Sequence, residues 1–405
     1  MNTPIPTFPQ RGKEKSKQSV KEKNFSNTRA TNAELTGAIG QIRLKHTTSR
    51  KTLFTPPSQH MDSLTQAVLG ASVTVAVMGR RTSFGKAALI GAIAGTLPDL
   101  DVVIDHGDDL LNMVRHRAES HSLFFLALLS PLFGWLTSWW LRRKAPPGTP
   151  GHAGRWTLAW LLALTTHVGI DAMTSYGTQF FQPFTDHAYA VGSMFIIDPL
   201  YTVPLIVGLV WSALRARKGW AWGAPNAWAL ALSCAYLLWS VAAQQHVRTV
   251  AEKSLEAQGI HNAQLWVYAS PFNTVLWRVL AVTPTHSHEG FYSLLDKDQH
   301  IPLTATERGQ EYLQRWADVP HVQRMLRFTQ GPVRMEVVDG RVLLSDLRMG
   351  QEPHYSFVFD LGTPEELDAG TVSQVRRLKA TLRADFEGQS LWQRLKGKPA
   401  AAGGE

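Results

Sequence analysis

A bundle of four to six membrane-spanning helices with a C-terminal soluble α+β domain is the fold this sequence predicts. Three observations carry it. Six apolar runs follow one another between Leu64 and Ala243, separated by short polar loops. Lys and Arg gather in alternate loops. After Gln245 the pattern changes to short runs of β-branched and aromatic residues with turn signals between them.

Averages over the 405 residues conceal this division: 44% of them are apolar, a value typical of a soluble protein. Residues 1–60 hold eleven Lys and Arg against three acids, so eight of the nine net positive charges lie there. That stretch is polar, lacks apolar periodicity and has no leader-like apolar core, so it reads as a disordered basic tail. The abrupt switch at Met61 makes that residue a natural start, with residues 1–60 a mis-assigned extension. The remaining body is nearly neutral, and its charge gives nucleic-acid binding no support. Cys234 is the only cysteine and sits in an apolar run, which excludes internal disulfides and Cys-type zinc sites.

The first two runs, Leu64–Met78 and Ala87–Leu97, are short for ~30 Å of hydrocarbon. Their Gly and Ala residues suit a closely packed hairpin, tilted or partly re-entrant. Leu123–Leu141, Trp156–Met173, Pro199–Leu214 and Ala227–Ala243 are the stronger spans. The loops carrying Arg80, Arg81 and Lys86, then Arg142, Arg143, Lys144 and Arg155, then Arg215, Arg217 and Lys218 are assigned to the cytoplasm. Loops 98–122 and 174–197 and everything after Gln245 then fall on the opposite, external side of the membrane. The same rule places the N-terminus outside, which is at odds with a strongly basic tail.

Three domains result: the tail 1–60, a membrane domain 61–245 and an extracytoplasmic α+β domain 246–405. In the last, Leu265–Ala269, Val275–Val282, Gly290–Leu295, Val333–Val338, Arg341–Asp346 and Tyr355–Asp360 read as strands. Asp339-Gly340 is a hairpin turn, and Thr306–Ala317 and Val372–Phe386 read as helices.

Between the second and third apolar runs lies PDLDVVIDHGDDLLNMVRHRAESHS, residues 98–122, dense in carboxylates and imidazoles. These are ligands of hard and borderline divalent cations, and they are costly next to a bilayer unless they have a task. Asp99 and Asp101 are expected to converge on one ion from an irregular turn after Pro98, a solvated acidic cap being the alternative. Further on, Ser120 is expected to cap the third apolar helix, with His121 in its first turn and His116 reaching in from the loop. Arg117 is a candidate anchor for an anionic substrate group. His167 and Asp171, at i and i+4, share one helical face and can address one ion or pair with each other. Thr174–Thr178, His187 and Asp198 lie on the same side, Asp198 as an outer carboxylate or a helix-start acid. Topology deduced from Arg and Lys alone thus brings Asp99, Asp101, His116, His121, His167 and Asp171 to one membrane face.

With these residues in place the chain resembles the YdjM/YbcI-like family of inner-membrane proteins regarded as metal-dependent hydrolases. Their Pro-Asp-x-Asp is Pro98–Asp101 here, their His-Arg-x-x-Thr-His-Ser is His116–Ser122 with Ser120 for Thr, and their His-x-x-x-Asp is His167–Asp171. The opening Met-Asp-x-x-Thr-His appears as Met61–Gln66, with Gln66 where the family has His, a poor zinc ligand. Ile197–Tyr201 and Leu347–Gly350 also fit the family. The resemblance implies a divalent metal ion, zinc foremost, held by Asp99, Asp101, His116, His121, His167 and Asp171. In a hydrolase, Asp99, Asp171 and Arg117 would do the catalytic work on membrane lipid or lipid-linked esters and phosphoesters. Two other classes use the same residues: a membrane scaffold with a structural metal and a partner-binding external domain, and an ion or proton relay.

Overall fold

The computed structural model describes residues 57–148, 150–372, 374–378 and 393–397, with side chains from residue 63 onward. The expected tail falls outside it except for its last four residues, which are helical. The first helix, α1 (Pro57–Met78), opens four residues before Met61.

Helix α1 and helix α2 (Phe84–Thr96) form the expected hairpin. Three glycines let their backbones touch. A Cβ on Gly70 would collide with the Gly91 carbonyl, one on Gly91 with the Gly70 carbonyl, and one on Gly95 with the Gln66 carbonyl. At thirteen residues α2 rises only about 20 Å. It runs on into a 3₁₀ turn, Pro98–Val103.

Helix α3 (Asp109–Arg115), capped by the Asp108 carboxylate, and a second 3₁₀ turn at Glu119–His121 lead to α4 (Leu123–Arg143). The cap of α4 is Ser122, whose hydroxyl accepts from the Phe125 amide at 3.3 Å, and not the expected Ser120. Ser120 belongs to the preceding turn and donates elsewhere. Helices α5 (Ala153–Ala172), α6 (Pro199–Arg217) and α7 (Gly223–Ala257) complete the bundle. Among the described residues α4, α6 and α7 are long and apolar enough to cross a membrane. Helix α5 lies inside, packed on α1, α2 and α4, with Ala163, Leu164, His167, Val168 and Asp171 buried.

The two ends of the bundle differ sharply. At one, Met78, Ala87, Trp156 and Trp222 form a core with Leu141 and Ala216, next to the basic loops. There the Arg143 guanidinium lies 3.8 Å from the Trp139 ring and the Lys144 ammonium 4.4 Å from Trp140, the amphipathic pairing of a bilayer interface. From that end α4 spans about 31 Å, the thickness of the hydrocarbon. Ser122, and the residues gathered around it, therefore sit at the end of α4 away from the basic loops.

Helix α7 is continuous through residue 245, so the expected domain boundary falls inside a helix. Its last third projects past the bundle, and Val247, Val250 and Ala251 pack on Trp277 and Val279. The C-terminal part contains two four-stranded antiparallel sheets. The first holds β1 (Gln264–Ala269), β2 (Leu276–Val282), β3 (His286–Ser293) and β4 (Thr304–Glu307); the second holds β5 (Val333–Val338), β6 (Arg341–Gln351), β7 (His354–Gly362) and β8 (Arg376–Arg377). Strand β2 is buried throughout because α7 covers one face and Leu347 and Tyr355 of the other sheet reach the second. The Asp339-Gly340 turn has positive φ at both residues, as a tight hairpin requires.

Two expected helices differ. Thr306 and Glu307 close β4, and left-handed Gly309 delays α8 to Gln310–Arg315. Arg376 and Arg377 pair with Asp360 and Phe359 as β8, while 379–386 lie outside the described residues. Helix α9 (Pro320–Thr329) and the second sheet bury Leu110, Met113, Tyr176 and Ala188 in one core, which seats the C-terminal part on the loops that carry the carboxylates and imidazoles.

Candidate metal centre

Four donor atoms converge at the non-basic end of the bundle. His121 Nε2 lies 3.1 Å from His167 Nε2, 3.1 Å from Asp171 Oδ2 and 3.4 Å from Asp99 Oδ1. His167 Nε2 lies 3.5 Å from each of the same two carboxylate oxygens. Ligands about 2.0–2.1 Å from a tetrahedral ion stand roughly 3.3 Å apart, so these separations are those of a single coordination shell. His121, His167 and Asp171 are buried; Asp99 keeps an edge exposed, its side chain 19% accessible.

The second atom of each imidazole decides what the first can do. His167 Nδ1 donates to the Gly95 carbonyl at 2.6 Å. His121 Nδ1 donates to Ser120 Oγ at 2.9 Å, and Ser120 in turn donates to Asp101 Oδ2 at 2.5 Å. With both Nδ1 positions committed as donors, the two Nε2 atoms of neutral rings face each other as lone pairs. Asp99 Oδ1 and Asp171 Oδ2 are buried without a hydrogen-bond donor. Two opposed lone pairs and two orphaned carboxylate oxygens make a site that a divalent cation satisfies in one step.

Without a cation a proton must take that role. Burial pushes His121 down, but Asp171 and Asp99 beside it more than offset this and hold it up at about 9. For Asp99, burial pushes the carboxyl up, while His121, His167 and Arg117 hold it well below the usual carboxylate range. The raised histidine stabilises the metal-free fold at low pH and loses that contribution as pH climbs through about 9. Metal binding must expel the proton, so affinity should rise up to about tenfold per pH unit below 9 and level off above it, as read by chelator-competition titration at several pH values.

Asp101 and His116 do not enter the four-atom shell. The turn at Pro98–Val103 is regular 3₁₀, in which residues i and i+2 point roughly 120° apart, so Asp99 and Asp101 cannot face one point. Asp101 instead accepts from His116 Nδ1 at 2.7 Å, the Arg117 amide at 3.1 Å and Ser120 Oγ. Burial pushes its carboxyl up, but His116, His121 and Ser120 bring the net effect below the usual range. It orients His121 from behind.

Arg117 is turned inward, 2% exposed, and does not present itself to an incoming anion. Its guanidinium approaches Asp171 Oδ1 at 3.3 Å, donates to Thr174 Oγ1 at 3.3 Å and lies 5.1 Å from the centre of the Tyr176 ring. The backbone there is left-handed, with φ of 67°. Gln66 also holds Asp171, its Nε2 donating to Oδ1 at 2.7 Å. A residue unsuited to bind zinc thus positions one that is suited, leaving Oδ2 for the shell. Asp198 caps α6 and accepts from Tyr236 at 2.7 Å, and His187 packs on Tyr189; neither contributes an atom to the four. The spacing of residues offered no sign of the Gly95 carbonyl or of the Ser120 relay, because both roles depend on how α2 and the loop meet.

Residues 61–247 match the family model described as YdjM inner membrane protein, and this stretch holds all four donors. Over 323 residues, 74% of this chain and 90% of the relative, the sequence is 26% identical to the Uncharacterized protein YfhP of Bacillus subtilis (strain 168). No solved structure matches. The family resemblance expected from the motifs is thereby met, and with three membrane-capable helices this is a membrane protein with a group of residues that could hold a metal ion.

Proposed function

We propose that this chain, which belongs through residues 61–247 to the YdjM inner membrane protein family, is a metal-dependent hydrolase working at the extracytoplasmic face of a bacterial inner membrane. Its substrates on this reading are lipid-linked esters or phosphoesters. The observation that carries it is the convergence of Asp99, His121, His167 and Asp171, whose donor atoms all lie within 4.8 Å of one another. A divalent ion held there would lower the pKa of a water that took a place in its shell beside Asp99, making it acidic enough to attack at neutral pH. Asp99, the donor with an open edge, is placed to take a proton as general base. Asp171 is enclosed and held by Gln66 and Arg117, so it fixes the site and does not exchange protons with substrate. The basic loops at the far end favour a cytoplasmic assignment for that end, which puts the cluster and the sheets outside. Reporter fusions after Arg143 and after Gln258 test this, the first expected inside and the second outside.

One observation favours a second reading. Four protein donors match the ligand count of structural zinc sites, which would make the ion a clamp for the loops beneath the external sheets. Helices α4 and α6 carry no acidic residue, so a relay across the bilayer gains no support.

Elemental analysis of detergent-purified protein, combined with a phosphoester and lipid hydrolysis panel, separates the two. An enzyme retains about one ion per chain and cleaves at least one class of ester. A structural clamp retains the ion and cleaves none. Asp101→Ala should weaken metal binding by about 10–100-fold, the usual effect of losing an outer partner, with the helical circular dichroism unchanged.

A further inference from the structure

We propose that the turn following Asp99 is a membrane-inserting lip, which opens the metal cluster sideways to the lipid headgroup layer. Asp99 and Asp101 point inward, to the histidines and to His116 and Ser120. Every other side chain of the stretch points out: Leu100 is 58% exposed, Val102 50%, Val103 79% and Ile104 54%. Four exposed aliphatic side chains in five residues are a liability in water, and here they adjoin the one donor of the four with an open edge.

The occupant follows from what the lip is continuous with. Leu97, at its root, packs on one cluster with Leu123 at the start of α4 and with Phe180. Phe124 of α4 meets the largely exposed Phe184 with ring centres 5.5 Å apart, and both belong to the same exposed apolar band as Leu128 further down the span. The lip thus prolongs the lipid-facing surface of a membrane-spanning helix, up to Asp105, where the chain turns polar and enters α3 beneath the external sheets. Aliphatic side chains at that level sit among the upper acyl segments, and the open edge of Asp99 faces headgroups, not bulk water. Resting on the hydrolase reading, this narrows the substrate to an amphiphile anchored in the same leaflet, whose polar end enters from the side.

The test places an environment-sensitive nitrobenzoxadiazole label at Val103→Cys in a Cys234→Ser background, with the protein in phosphatidylcholine–phosphatidylglycerol nanodiscs. A label at Asp339→Cys, in the β5–β6 hairpin, serves as the water-exposed control. The Val103 label should be quenched at least twofold more than the control by lipid carrying a nitroxide on carbon 5 of the chain, and should resist iodide. Quenching by iodide equal to that of the control would overturn the lip. The second arm uses Val103→Lys. Its cleavage of bilayer-embedded ester should fall at least tenfold, with metal content and cleavage of a soluble nitrophenyl phosphoester unchanged. Equal cleavage of the embedded ester by Val103→Lys and wild type would overturn lateral entry. Lipid quenching in a protein that cleaves nothing would confirm the lip and overturn the hydrolase reading.

Discussion

Replacing His167 with alanine will abolish metal retention and leave the bundle folded. The side chain supplies one of four donors, and its removal also frees the Gly95 carbonyl that aligns it. Losing an outer partner already costs metal sites about 10–100-fold in affinity, so losing a donor should exceed that range. Elemental analysis after gel filtration checks the first part and circular dichroism the second. A variant that keeps its ion would show that His167 is not a donor.

The second large effect is expected at a residue with no side chain, Gly95→Val. Gly95 lies against the Gln66 carbonyl and the Gly70 Cα, and its own carbonyl accepts from His167. A valine there must push α2 away from α1, and overpacking of this kind costs about 1–3 kcal/mol, occasionally more. The displacement also moves Gln66, which holds Asp171, and the carbonyl that aims His167. Melting temperature and metal affinity should therefore fall together, affinity by more than tenfold. Gly169→Ala is the control. It lies in α5 with open space where a Cβ would go, so it should keep the metal and gain up to about 1 kcal/mol of helix stability. If Gly95→Val melted and bound metal like the wild type, the close hairpin would not be what aligns the site.

Much of this was readable in the sequence, and the misses share a cause. The pair His167 and Asp171 follows from helical spacing alone, since i and i+4 share a face wherever the helix lies. The Asp339-Gly340 turn declared its hairpin. Which of Asp99 and Asp101 enters the shell could not be read, because it depends on the turn after Pro98 being regular 3₁₀ rather than irregular. His116 and His121 are likewise equivalent in composition. Only the left-handed backbone at Arg117 sends the first to Asp101 and leaves the second beside Asp171. Gln66 looked like a missing ligand and is a holder of one. The short helix α8 and strand β8 are set by tertiary neighbours, Gly309 against the Met335 carbonyl and Arg377 against Phe359, which local propensity does not record.

The C-terminal sheets bear on the site through one route that can be named. Arg117 stacks on Tyr176, Tyr176 packs on Phe328, and Arg348, paired with Asp346, lies over Phe328. The second sheet thereby closes over the loop that carries His116 and Arg117.

X-ray absorption spectroscopy of the zinc-loaded protein in detergent addresses the coordination shell itself. The account predicts four nitrogen and oxygen neighbours at about 2.0–2.1 Å, with the outer-shell scattering of two imidazoles, lost in His121→Ala. Zinc surrounded by six water-like oxygens, or a spectrum identical in wild type and His121→Ala, would contradict it.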